Sequence, residues 1–207
     1  MLIALSYGLY EAALSRKHVP ISIFENICYN KGMKQLYLLR HAHAVSTSVS
    51  LSDFDRPLDE RGQEEGIEVA DYLHKKGITF DFIMCSAALR AQETLEPLRP
   101  IIGTNAIEIS ENFYNISEDK ILNHLRQLSD ETGKVLYIGH NPGIAFSILK
   151  FAKILPRFLL ESVTPGTLVG LQFPLDKWMD LEWGSAEVIE AFQPVLAAKE
   201  FPSPQEP

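Results

Sequence analysis

Three segments of this chain end an apolar run on a cation or an imidazole. Leu36-Tyr37-Leu38-Leu39 runs into Arg40-His41, and Lys134 to Ile138 runs into Gly139-His140-Asn141-Pro142-Gly143. Between them, Cys85-Ser86-Ala87-Ala88-Leu89-Arg90 closes a further apolar run and delivers an Arg into the first turn of an expected helix. A guanidinium is a planar, permanently charged fork that matches phosphate oxygens. An imidazole can attack phosphorus through one nitrogen while the other keeps its proton and is held by a hydrogen bond. Arg40, His41, Arg90 and His140 therefore read together as a phosphoryl-transfer site. His41 would be the nucleophile and the other three would neutralise charge as the phosphoryl group moves. Taken singly, each has a plainer reading: a surface pair, a solvated helix charge, a turn residue. What joins them is a shared place at the carboxyl ends of strands, where open α/β sheets bind ligands.

His43 forms His-x-His with His41 and raises a metal reading, but Ala44-Val45-Ser46 follow where further ligands are wanted. The expectation is a site with no metal and no cofactor. Cys85 ends an apolar run and reads as a core thiol, and Cys28 and Cys85 suggest no disulfide framework. His18, His74 and His124 belong to no constellation and read as surface residues. Walker and dinucleotide glycine motifs are missing from the sequence.

The elements that would carry these residues alternate strand and helix. Strands are expected at Leu36–Leu39, Phe80–Cys85, Ala106–Ile109, Lys134–Ile138, Thr167–Phe173 and Ala186–Phe192. A helix from Gly62 to Lys76 places Ile67, Ala70 and Leu73 on one face and stops at Gly77. Ser86 is placed to cap the helix of Arg90, which Pro97 and Pro100 break. Ser117 can cap a helix bearing Ile121, Leu122, Leu125 and Leu128, and Asn141-Pro142 opens one reaching about Ile154. Such alternation predicts one α/β domain, a mainly parallel sheet with helices on both faces. The expected division is an N-terminal extension at 1–32, the domain at 33–197 and a Pro-rich tail at 198–207. Met33 is an alternative initiator.

The chain has 207 residues, 46% of them hydrophobic and 22% charged, which suits one ordinary globular domain. Its net charge of −8 argues against a general nucleic-acid or anionic-membrane binder. No run reaches the roughly 18 apolar residues that a spanning helix needs. A cytoplasmic location is expected.

The ordered segments Tyr37-Leu38-Leu39-Arg40-His41-Ala42, Arg56-Pro57-Leu58 with Gly62, Ser86-Ala87-Ala88-Leu89-Arg90-Ala91 with Thr94, and Gly139-His140-Asn141-Pro142-Gly143 resemble the histidine phosphatase superfamily. They are most similar to its small SixA-type phosphohistidine phosphatases, over about residues 34–195, with Ala42 where the familiar motif has Gly. The resemblance implies a three-layer phosphoglycerate mutase-like fold. It implies that His41 becomes phosphorylated and that Arg40, Arg90 and His140 bind phosphoryl oxygens. Arg56 would add a contact at the rim; the other reading is a salt bridge with Asp53 or Asp55. Larger relatives place a carboxylate after the third strand to protonate the leaving oxygen. Glu111 lies in that region, and an exposed loop carboxylate is its alternative. A doubtful acid suits a P–N bond better than an unactivated ester, since imidazole leaves more easily than alkoxide. The expected partner is therefore a phosphorylated protein, a histidine phosphotransfer domain or a phosphocarrier. A small phosphoester is the second expectation and a non-catalytic phosphate-binding module the third.

Overall fold

The structure, a computed structural model, describes residues 32–46, 52–103 and 106–195. The expected extension at 1–32, apart from Gly32, and the expected tail at 198–207 lie outside the described residues.

β1 (Lys34–Arg40) is the strand from which the site is built, and it lies inside the sheet. Its side chains alternate between two cores. Leu36 and Leu38 enter one hydrophobic cluster, while Tyr37 and Leu39 enter the other. A strand buried on both faces has to be apolar throughout, which is why this run shows no polar alternation. The other strands are β2 (Phe82–Ser86), β3 (Ile107–Ser110), β4 (Lys134–Gly139), β5 (Leu168–Phe173) and β6 (Glu187–Phe192). They form one six-stranded sheet in the order β3-β2-β4-β1-β5-β6. β1, β2, β3 and β4 are parallel, and β5 and β6 add antiparallel pairings at one side. The α/β fold with a mainly parallel sheet is as the sequence predicts.

Helices cover both faces. α1 (Glu60–Lys76) and α2 (Leu89–Leu95) lay Val69, Ala70, Leu73, Ala91 and Leu95 on the Tyr37 side. On the Leu38 side, α3 (Glu118–Leu125) brings Ile121, Leu122 and Leu125, and α4 (Gly143–Phe151) brings Ile144, Ile148 and Phe151. A short α5 (Arg157–Glu161) precedes β5. Among the described residues, no helix is long and apolar enough to cross a membrane.

Several expectations about these elements need correction: α3 ends at Leu125, short of Leu128, and the Ser117 side chain makes no capping hydrogen bond. α1 starts at Glu60 because Asp59 is its cap, its Oδ1 accepting the Gly62 N–H at 2.9 Å. Ile67 is 56% exposed, whereas Leu73 is wholly buried. Two three-residue steps leave them about 120° apart around a helix, too far to share a narrow stripe. Ser86 does not cap α2. Ala88 holds the cap position, and Ser86 is still the last residue of β2. α4 stops at Phe151, because Ala152 leaves to form a bridge with Ala186.

Candidate active site

The sheet register assembles the site. Arg40 pairs with Gly139 across β1 and β4, so His41 and His140 leave adjacent strands side by side. Cys85 pairs with Ile138, which sets the end of β2 and the start of α2 against the same edge. The rings of His41 and His140 lie 5.0 Å apart. Arg40, His41, Arg56, Arg90 and His140 line one cavity of about 390 Å³, with His43, Ala44, Asp53, Asn115, Asn141 and Pro165.

His41 is held as a neutral imidazole. Its Nδ1 lies 2.7 Å from the Ala42 carbonyl, which can only accept, so Nδ1 carries the proton and Nε2 the lone pair. Arg90 Nε donates to Nε2 at 3.2 Å. Burial first, then the neighbouring His140, holds the imidazole well below its ordinary range, so Nε2 is unprotonated at neutral pH.

Arg90 is itself enclosed, with Nη2 donating to Asp53 Oδ2 at 3.0 Å and to His140 Nδ1 at 3.2 Å. With Nδ1 accepting, His140 donates through Nε2 to the Ser86 hydroxyl at 2.8 Å. Burial, followed by the charge of Arg90, pushes His140 down to about 3. A bound phosphoryl dianion would act the other way and favour a protonated, donating His140. Arg40 gives Nη1 to the Val163 carbonyl at 2.7 Å, and Asn141 Nδ2 binds the same oxygen at 3.0 Å. The buried Nε of Arg40 has no hydrogen-bond partner among the described residues.

The backbone around these groups is tied at several points. The Ala42 N–H donates to the Thr94 hydroxyl at 3.0 Å, and that hydroxyl donates to the Arg90 carbonyl at 2.6 Å. Gly166, at φ +72°, gives its N–H to the carbonyls of both Arg40 and His41. Wholly buried Glu65 accepts the His43 N–H at 2.7 Å. Gly62 has no room for a side chain, since a Cβ there would lie 1.9 Å from the His43 carbonyl oxygen. Ala42 is completely buried and its methyl is accommodated.

Arg56 forms the salt bridge of its second reading. It lines the cavity, and its Nε and Nη2 hold Asp53 Oδ1, each at 2.9 Å. Asp55 instead accepts from the Ser52 hydroxyl. Glu111 stands exposed on the turn Glu111–Phe113 and is not among the residues lining the cavity. It follows β3, which lies beyond β2 from β4 and β1, and the chain there buries Phe113 and directs Tyr114 toward the site. His43 diverges from His41 and pairs with Asp59 at 2.6 Å. Cys85 is a core thiol that burial pushes up to about 12.

The carboxylate inside the site is Asp53, expected only as a partner for Arg56. The Tyr114 hydroxyl donates to its Oδ2 at 2.6 Å and, with Arg90 and Arg56, holds Asp53 down to about 2. Tyr114 also sets its ring edge against His140, 5.3 Å between centroids. Phe54 packs on Tyr114 at 5.0 Å. Tyr114 carries no signal in the sequence that marks it as a partner of Asp53, and Ser86, although within a motif, carries none that marks it as a partner of His140. Asp53 carries a faint one, three residues before Arg56.

Residues 36–133 match the family model described as histidine phosphatase superfamily (branch 1). A protein from Nakamurella multipartitia assigned as the phosphohistidine phosphatase SixA has the same fold at TM-score 0.69 and 26% identity, over 79% of this chain and 98% of that one. Over residues 36–133 the chain is similar to the histidine phosphatase superfamily. Among solved structures, its likeness is to the SixA type. The SixA-assigned protein of Agrobacterium tumefaciens aligns at TM-score 0.66 and 25% identity, over 78% of this chain and 98% of that one. An uncharacterised chloroplastic protein of Arabidopsis thaliana is 29% identical over 120 residues, 53% of this chain. The match spans about half, 55%, of that plant protein's length.

Proposed function

We propose that the protein is a phosphohistidine phosphatase that passes the phosphoryl group through a covalent phosphohistidine on His41. Its substrate is a phosphorylated protein, a phosphorelay domain or a phosphocarrier. In this reading Arg40, Arg90 and His140 hold the phosphoryl oxygens and Arg56 braces the rim.

One observation carries the choice of a P–N bond. The carboxylate in the pocket, Asp53, is held at about 2 between Tyr114, Arg90 and Arg56, so it is ionised and has no proton to give. Glu111 lies outside the pocket lining. An alkoxide leaves badly without a proton, whereas an imidazole leaves as a weakly basic neutral ring. The SixA assignments of the two bacterial neighbours agree with this reading. So does an open rim, with His43 and Asp53 side chains 38% and 41% exposed, which a protein surface can approach.

The test is phosphate release from a phosphohistidine-bearing carrier protein and from a panel of small phosphoesters, by wild type and His41→Ala. The expected result is release from the carrier, loss in the variant, and an acid-labile phosphate on His41 after rapid quenching. Release from esters alone would make the protein a metabolite phosphatase. No release from either would leave a phosphate-binding module.

A further inference from the structure

Asp53 is an anion inside an anion-binding pocket, which needs an explanation. Its Oδ1 receives Arg56, and its Oδ2 receives Arg90 Nη2 and the Tyr114 hydroxyl. The Arg90 guanidinium spans from His41 Nε2 at one end, 3.2 Å from its Nε, to Asp53 Oδ2 at the other, 3.0 Å from its Nη2. The carboxylate thus stands one guanidinium beyond the nucleophile and at the exposed rim. A second anion there opposes an ordinary phosphate dianion but favours a substrate that carries positive charge beyond its phosphorus.

We propose that the Asp53 carboxylate accepts the ring N–H of the protonated imidazole of a phosphohistidine substrate, and so selects P–N over P–O bonds. This rests on the phosphohistidine reading given above and adds the group that recognises the leaving side. When the phosphoryl group enters, Arg90 Nη2 turns to a phosphoryl oxygen and the lone pair it vacates on Oδ2 takes the ring N–H.

The chemistry then balances without a general acid. The substrate ring has one nitrogen bonded to phosphorus and the other carrying N–H, with a positive charge. His41 Nε2 forms a bond to phosphorus as the substrate P–N bond breaks, and the electron pair of that bond stays on the departing nitrogen. Positive charge passes from the substrate ring to the His41 ring, no proton moves, and the leaving ring departs neutral. Asp53 does for the substrate ring what the Ala42 carbonyl does for His41, which is to hold the N–H of the nitrogen remote from phosphorus. Water then attacks phosphorus, the bond from Nε2 breaks with its pair returning to Nε2, and both water hydrogens leave with the phosphate.

The groups facing Asp53 are Arg90, Arg56, Tyr114 and, through its charge, His140. Asp53 also braces the two arginines, so a purely positioning role has to be separated. The readout is the ratio of kcat/KM for a synthetic phosphohistidine peptide to kcat/KM for para-nitrophenyl phosphate. The ratio is compared in wild type, Asp53→Asn and Asp53→Glu across pH. The expected ratio falls at least tenfold in Asp53→Asn whatever happens to the separate rates. The loss of peptide turnover with rising pH moves to lower pH, because the protonated ring is no longer favoured. Asp53→Glu keeps most of the preference. Parallel slowing of both substrates, or an equal loss of preference in Asp53→Glu, would overturn the assignment and leave Asp53 a brace for Arg90. Wild type that cleaves the aryl ester but never the peptide would overturn the phosphohistidine reading, and this assignment with it.

Discussion

Arg90 Nε donates to His41 Nε2 across 3.2 Å, so the guanidinium holds the lone pair that, in the proposed reading, attacks phosphorus. A substrate oxygen can take over that N–H while Nε2 turns to phosphorus. The same guanidinium reaches Asp53 and His140 through Nη2, so a point charge on a flexible stem cannot replace it. Arg90→Lys should lower kcat by about a hundredfold or more, the usual loss when one preorganised donor is removed. Rapid-quench measurement of phospho-His41 formation checks it: the first step should slow, not the release of phosphate from phosphoenzyme already formed.

Thr94 links the two halves of that pair, since one hydroxyl joins the Ala42 N–H to the Arg90 carbonyl. Thr94→Val keeps the volume and removes both bonds, leaving a buried N–H unpaired. The expected cost is about 1–3 kcal/mol, read from urea denaturation. A fall in kcat larger than any rise in KM should accompany it, because His41 and Arg90 lose their common brace. Thr94→Ser should recover most of both.

Gly62 is required by proximity, not by its backbone angles. Its Cβ position lies 1.9 Å from the His43 carbonyl oxygen, so Gly62→Ala must push α1 away from the loop after His41. The loss should be roughly 1–3 kcal/mol, as for other overpacked sites. It should appear as a lower denaturation midpoint with an unchanged slope.

Both site imidazoles are held below their ordinary value of 6.5, with His140 at about 3. Below pH 6.5 the unfolded chain takes up protons that the folded chain refuses, so stability rises with pH across that window. Denaturation midpoints should therefore fall as pH drops from about 6.5 toward 3, and His140→Gln should flatten part of the slope. Asp53 adds a separate stabilisation, present above 3.8 and lost as pH falls toward about 2. A flat profile between pH 6.5 and 4 would contradict the burial of the two rings.

Much of this architecture is legible in the sequence because strands buried on both faces are apolar throughout. Leu36–Leu39 and Val135–Ile138 identify themselves, and the Arg or His that ends each run is conspicuous against them. Arg40, His41, Arg90, His140 and Arg56 accordingly fall in one cavity. The pocket carboxylate is harder to read. Asp53 reaches the site from an irregular segment whose path is set by Arg56, Arg90 and Tyr114, contacts made across as many as 61 residues of chain. Local spacing holds no record of them. Glu111 misleads for the related reason that its distance from the nucleophile depends on the order of strands, not on their sequence. Ser86 misleads because a serine before a helix looks the same whether it caps the helix or serves His140.

The pairing of β1 with β4 and β5 also has a kinetic meaning. Arg40 meets Gly139, and Leu39 meets Leu168, so the strand that leads into His41 is flanked only by chain made much later. Contacts of such long separation form slowly, because loop closure must come before any gain from pairing. No early hairpin or local helix can hold Arg40, His41, Arg90 and His140 together. Catalysis should therefore be among the last properties to emerge on refolding, and recovered activity would serve as a clock for the completed sheet.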